Sequence, residues 1–207
     1  MELPDSIKTI KSSCEFQFKE KGSLFIGYAS PCKTEKAAEQ ILEAKKKQYY
    51  DATHNCYAYK ILPESIKYSD DGEPSGTAGI RILNAIQHFD LTNLIVISTR
   101  YFGGTKLGVG PLGKAYYNSA YFTLKDAKII TKTNYSLFVL YYDFEFTKSA
   151  HHFLSLHGGI IKGNGFDERP TITFLIKPQD FPTLKKDIRN ASKDRCSLKK
   201  IEENLFL

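Results

Sequence analysis

Three carboxylates within four residues, Asp70, Asp71 and Glu73, open the stretch of this 207-residue chain that is richest in chemistry. Such acids suit a divalent cation or a proton transfer. Their spacing does not match an EF-hand loop, and acids ahead of a helix start also complement its dipole. With Gly72, Pro74, Ser75, Gly76 and Thr77 the same run describes a constrained turn. Downstream, Arg100-Tyr101-Phe102-Gly103-Gly104 offers a guanidinium fork for phosphate or carboxylate and two rings that could stack on a base. A pairing of Arg100 with Asp70 or Asp71 competes with that role. For the two aromatics, inward packing is the expectation.

The string from Gly108 to Gly113 fits GxGxxG literally. A dinucleotide fingerprint needs its first glycine at a strand end and an acid about 20 residues on, at the end of the next strand. Here the preceding strand ends near Thr99, and the nearest later acid, Asp126, falls inside a helix, so spacing argues against a Rossmann site. A glycine-rich anion cradle at a helix start keeps its physical warrant, with Lys106 and Lys114 flanking it; plain structural turns are the alternative. His54 and Cys56 share a strand face, but same-face neighbours sit about 7 Å apart, too far for direct activation of the thiol. His151, His152 and His157 lack the i, i+4 spacing of a helical zinc site.

These residues need elements to hold them. Ser13–Phe18 and Ser23–Tyr28 read as a β-hairpin, and Thr34 caps a helix running to about Tyr49 with Ala38, Ile41 and Leu42 inward. Asn55–Leu62 alternates as a strand, and residues 63–76 read as a polar loop. A helix follows from about Thr77 to Phe89. Leu94–Ser98, a nearly continuous apolar run, predicts a central strand buried on both faces. The next helix begins near Leu112 and ends near Asp126. Beyond Lys132 the pattern reads strand (135–146), helix (147–157, closed by Gly158-Gly159), strands (160–167 and 171–176), helix (179–191) and strand (196–201). That order is the βαββαβ plait. The fold class is α+β, with domains at 1–131 and 132–207.

Composition narrows the function classes. Apolar residues make up 42% and charged residues 25%, the mix of a globular protein. No apolar run approaches the ~20 residues of a membrane span, and the N-terminus lacks the apolar block of a signal peptide, so a cytoplasmic location without membrane partners is expected. The net charge of +6 permits nucleic-acid binding without demanding it, because the excess is spread along the chain. The four cysteines form no CxxC pair and are expected to be reduced and mostly buried.

The chain resembles the IMPACT family, including its bacterial YigZ-type two-domain members. The resemblance is carried by residues 54–59 (HNCYAY), 70–79 (DDGEPSGTAG), 99–110 (TRYFGGTKLGVG) and 112–116 (LGKAY), in the family's order and spacing. Two positions depart from the pattern: Arg81 stands where the family has proline, and Pro111 where it has a second glycine. The resemblance implies an N-terminal α/β sandwich similar to domain two of a small-subunit ribosomal protein, a fold shared with a domain of elongation factor G. It implies a ferredoxin-like C-terminal domain similar to the last domain of that factor. Eukaryotic relatives regulate translation under stress by binding a kinase activator, and for bacterial members nucleic-acid or ribosome binding is implied.

The resulting expectation is a non-enzymatic, translation-linked binding protein without a cofactor, a catalytic set or a metal set. Its groove would comprise His54, Asp70, Asp71, Glu73, Ser75, Gly76, Thr77, Arg100, Tyr101, Gly103, Gly104, Lys106, Gly108, Gly110 and Lys114, engaging RNA, the ribosome or a protein partner of translation control. Two alternatives stay open: a metal-dependent hydrolase or phosphoryl-transfer enzyme using Asp70, Asp71 and Glu73, and a purely protein-binding adaptor.

Overall fold

A computed structural model describes residues 3–207. Among these the protein is α+β, with two antiparallel sheets and five α-helices. No described helix is long and apolar enough to cross a membrane. The chain divides into two compact units: Lys8–Thr131, and Lys132–Leu207 together with residues 3–7.

In the first unit, strands β2 (Cys14–Glu20), β3 (Ser23–Pro31), β4 (His54–Ile61), β5 (Ser65–Ser69) and β6 (Leu94–Tyr101) form a sheet in the order β2-β3-β6-β4-β5. Helix α1 (Glu35–Gln48) covers one face; α2 (Gly79–His88) and α3 (Val109–Lys125) cover the other. Strand β6 explains its unbroken apolar run by this layering. Leu94 and Val96 enter the core beneath α2 and α3, while Ile95 and Ile97 enter the core beneath α1. Thr34 Oγ1 accepts from the Ala37 amide at 3.1 Å, capping α1 as its sequence predicts. At the other end of α1, the Lys45 ammonium sits 3.8 Å from the Tyr28 ring centroid, so its stem covers apolar surface.

Strand β5 lies within the stretch expected to be a polar loop. It is an edge strand with none of its residues buried, so it carries no apolar alternation, and pairing with Tyr57–Ile61 of β4 forms it. Strand β1 (Ser6–Ile10) is a second element that the sequence pattern does not announce.

The second unit contains β7 (Ile129–Tyr141, its first residues belonging to the preceding unit), a 3-10 turn (Phe144–Phe146), α4 (Thr147–Leu156), β8 (Ile160–Asp167), β9 (Arg169–Ile176), α5 (Phe181–Ser192) and β10 (Ser197–Phe206). β10, β7, β9 and β8 lie side by side in that order. Phe138, Leu140, Ile172, Phe174 and Ile176 pack with Ala150 and Leu154 of α4 and with Leu184 and Ile188 of α5. Residues 3–7, grouped with the N-terminal domain on sequence grounds, lie with this unit because the Asn134 amide donates to Asp5 O at 2.8 Å.

Candidate functional site

The acidic turn folds around its own carboxylates. Asp70 Oδ2 accepts from the Gly76 amide at 2.9 Å, and Oδ1 accepts from the Ala78 and Gly79 amides at 2.9 and 2.8 Å. Asp70 thus satisfies the first amides of α2, which has no side-chain cap of its own at Ala78. Burial works to raise the Asp70 pKa, but the hydrogen bonds from Gly76, Gly79 and Ala78 outweigh it and hold the carboxyl below its ordinary value. Asp71, at φ +45°, turns away: Oδ2 accepts from the Asn55 amide at 2.7 Å, and Oδ1 lies 3.4 Å from Lys46 Nζ.

Because the folded Asp70 pKa is depressed, its stabilisation is complete above the unfolded value and is lost as pH falls through the folded one. Asp70→Asn, which keeps one accepting oxygen but loses the charge and the other, should destabilise by about 1 kcal/mol above about pH 5, and the gap to the parent should narrow as pH falls below about 4. Urea unfolding across that range checks it; a gap that widens on acidification contradicts the assignment.

Glu73 faces inward. Its Oε1 accepts from Arg100 Nη1 and from the Tyr116 hydroxyl, each at 2.7 Å, with the Glu73 and Arg100 side chains only 4% and 6% exposed. Arg100 Nη2 donates to Ser23 Oγ at 3.2 Å, and its guanidinium carbon lies 5.5 Å from the ring centroids of Phe25 and Phe102. His54 completes the group, with Nε2 at 3.8 Å from Glu73 Oε2 and Nδ1 at 2.8 Å from Asp71 O. Burial, then Cys56 and Glu73, push the Tyr116 phenol up, so it stays a protonated donor. Burial above all also pushes the Cys56 thiol up, and its Sγ donates to Asp70 O at 3.0 Å, so it sits there as a protonated thiol.

Arg100 therefore pairs with Glu73, not with Asp70 or Asp71. The three acids reach three different partner sets, and among the described residues no three His, Cys, Asp or Glu side chains group as a metal site. The two aromatics also depart from expectation. Tyr101 projects from the opposite face of β6 and donates to Asp51 at 2.8 Å, a bond that pushes its phenol up to about 12. Phe102 is 47% exposed.

A cleft of about 430 Å³ lies over the buried pair. Of the expected residues it gathers His54, Glu73, Arg100, Lys106 and Gly108; Thr53, Pro74, Phe102, Leu107, Val109 and Leu112 complete its lining. Lys114 and Gly110 instead line a neighbouring hollow with Lys21 and Asn118. Asp70, Gly76 and Thr77 are internal to the turn, where Thr77 Oγ1 donates to Pro74 O, and Ser75 is exposed outside the cleft lining. Gly103 packs on Gly22, and Gly104 has φ +84°. The apolar wall residues gave no separate signal, since Leu107 and Leu112 look like core. Tyr116 lies one helical turn beyond Leu112, and that i, i+4 spacing points to a shared face.

The model of the Impact N-terminal domain matches residues 21–124, the stretch that contains every residue of this cleft. The chain belongs to the IMPACT family. It is 42% identical over 113 residues to the IMPACT family member YvyE of Bacillus subtilis, an alignment covering 54% of this chain and 52% of that protein. Against an IMPACT family member of Haemophilus influenzae it is 27% identical over 196 residues, covering 93% and 95% of the two chains. Human Protein IMPACT is 31% identical over 96 residues, covering 43% of this chain and 29% of its own. The chain thus spans about half the length of the Bacillus relative and less than a third of the human one. A crystal structure described as that of a hypothetical protein shares the fold, with a TM-score of 0.68 over 98% of this chain and all of the other at 23% identity. In this IMPACT chain, the departure Arg81 is exposed and donates from Nε to Gly76 O at 3.3 Å, while Pro111 occupies the first turn of α3.

Proposed function

We propose that this chain is a non-enzymatic, translation-linked regulatory protein of the cytoplasm that engages RNA or the ribosome through the surface around the start of α3. In this reading the first unit is a ribosomal-protein-domain-2-like sandwich and the second a ferredoxin-like plait. The strand order β10-β7-β9-β8, with α4 and α5 on one face, supports the latter. The family resemblance supplies the link to translation.

One observation carries the RNA reading: an exposed aromatic ring, Phe102, stands beside an uncapped helix N-terminus surrounded by the exposed lysines Lys21, Lys106 and Lys114. No acid occupies the first turn of α3, so its dipole and amides favour anions, and the one acid in the hollow beside it, Glu20, is set against Lys21 and Lys114. Arg100 leaves the list of phosphate ligands, because Glu73 neutralises it in a buried pair. The enzyme alternative loses its residue set with the divergence of Asp70, Asp71 and Glu73.

RNA affinity should fall steeply with salt. In Lys106→Ala/Lys114→Ala the plot of log affinity against log salt should flatten by about 0.7 for each phosphate of a single strand that the protein no longer neutralises. Fluorescence anisotropy with a labelled oligoribonucleotide reads both. Salt-independent affinity, or an unchanged slope in the double variant, contradicts the proposal, and RNase-insensitive capture of a translation factor would favour a protein partner instead.

A further inference from the structure

We infer that the cleft and the first turn of α3 together bind one unpaired nucleotide. Its phosphate sits on the amides of Val109 and Gly110 beside Lys106, and its base lies against Phe102 within the cleft. The inference rests on the RNA reading for the source of the nucleotide, but its chemistry stands on the cleft and on the helix start at Gly110, which lines the neighbouring hollow.

The cavity, about 430 Å³, falls in the range of roughly 300–1,000 Å³ typical of small-ligand pockets. Its walls are apolar at Pro74, Phe102, Leu107 and Leu112, and its polar groups converge at Glu73, Arg100 and His54. That combination, a few polar groups among apolar walls, accepts a flat heteroaromatic ring with hydrogen-bonding edges. Phe102 is fixed on one side by the Arg100 guanidinium and remains 47% exposed, which leaves ring surface for stacking. Arg100 Nε, on a side chain only 6% exposed, finds no acceptor among the described residues. The floor of the cleft therefore holds a buried, unmet donor that a base carbonyl would satisfy once the side chains above it shift to expose it.

Gly110 supplies an independent argument. It stands in the first turn of a 17-residue helix, its φ is not positive, and a Cβ added there would meet nothing within 4 Å. Neither conformation nor packing calls for glycine, although glycine in a helix is about 1 kcal/mol less favourable than alanine. What glycine leaves there is bare backbone. The Val109 and Gly110 amides find no acceptor among the described residues, and α3 has no side-chain cap. A tetrahedral phosphate approaching those amides would need the space a Cβ would take.

Calorimetry on the full chain tests this with nucleoside 5′-monophosphates, the matching nucleosides, inorganic phosphate, and one oligoribonucleotide offered single-stranded and as a duplex. The expected result is tighter binding of a monophosphate than of its nucleoside or of phosphate, with single strand preferred over duplex. Gly110→Ala should keep or raise the thermal midpoint yet lose at least about tenfold in monophosphate affinity. Phe102→Ala should lose roughly 5- to 150-fold, the range of a lost base stack. Absence of monophosphate binding, or monophosphate affinity unchanged in both variants, overturns the nucleotide site. Strand binding that survives both substitutions, or that is equal for duplex, overturns it too while sparing the RNA reading. Monophosphate binding without oligonucleotide affinity upholds the site for a free nucleotide and overturns the RNA reading.

Discussion

Glu73→Ala should cost about 3–5 kcal/mol, the scale seen when one partner of a buried ion pair is removed. The Arg100 guanidinium would keep its charge in a pocket where its side chain is 6% exposed, and the Tyr116 hydroxyl would lose its carboxylate acceptor. Ser23 Oγ would remain as a single neutral partner, 3.2 Å from Nη2. Glu73→Gln retains the oxygen that both donors share but loses the charge that neutralises Arg100, and should fall between the parent and the alanine variant. Replacing both charges, as in Glu73→Leu/Arg100→Met, removes the uncompensated charge and should recover most of the loss, because well-packed apolar residues often match a buried pair. Urea unfolding followed by circular dichroism measures all four proteins. If Glu73→Ala stays within about 1 kcal/mol of the parent, the pair is not the buried anchor its geometry describes.

That anchor reorganises the charge of the cleft. With Glu73 and Arg100 cancelling, the electrostatic character left to a ligand comes from Lys106 at the rim and from the start of α3. Arg100 has another task. It bridges the Glu73 turn, the start of β3 at Ser23 and the Phe102 ring, so the walls of the cleft are held by one side chain. An acid in the turn, an arginine at a strand end and a tyrosine on the next helix meet only after the sheet and both helices have assembled.

The location of this site was legible because glycines, acids and a lone arginine accumulate between Asp70 and Tyr116. Their individual directions were less so. Three acids in four residues resemble a cluster, yet Asp71 adopts φ +45° and the turn sends each carboxylate elsewhere. The separation of Arg100 from Tyr101 was available in principle, since neighbours on β6 point to opposite faces. Which face holds Glu73 was not, because that depends on how the turn crosses the sheet edge. The same limit hid β5, whose exposed residues give no period of two, whereas the doubly buried β6 announced itself by its apolar run. The sequence places Gly103 and Gly104 in the expected groove. Gly103 instead serves the fold, while Gly110 has neither a conformational nor a packing reason to be glycine.

Gly103→Ala accordingly should be the most damaging glycine substitution in the loop, at about 3 kcal/mol, the upper end for overpacking. A Cβ on Gly103 would fall on the carbonyl group of Gly22 and the amide of Ser23, and the reciprocal Cβ on Gly22 would come within 2.8 Å of Gly103 O. Both sides of this close approach are backbone, so no rotamer change relieves it. The Gly103 amide also donates to Ser23 Oγ at 3.2 Å, the same hydroxyl that receives Arg100 Nη2. Pushing the two loops apart therefore strips a partner from the buried guanidinium as well as opening the β2–β3 turn. Coupling follows from that shared hydroxyl: Gly103→Ala and Ser23→Ala should be markedly sub-additive, since either removes the bridge. A double-mutant cycle in urea reads the interaction, and strictly additive losses would show that the loop packing and the buried pair stand apart.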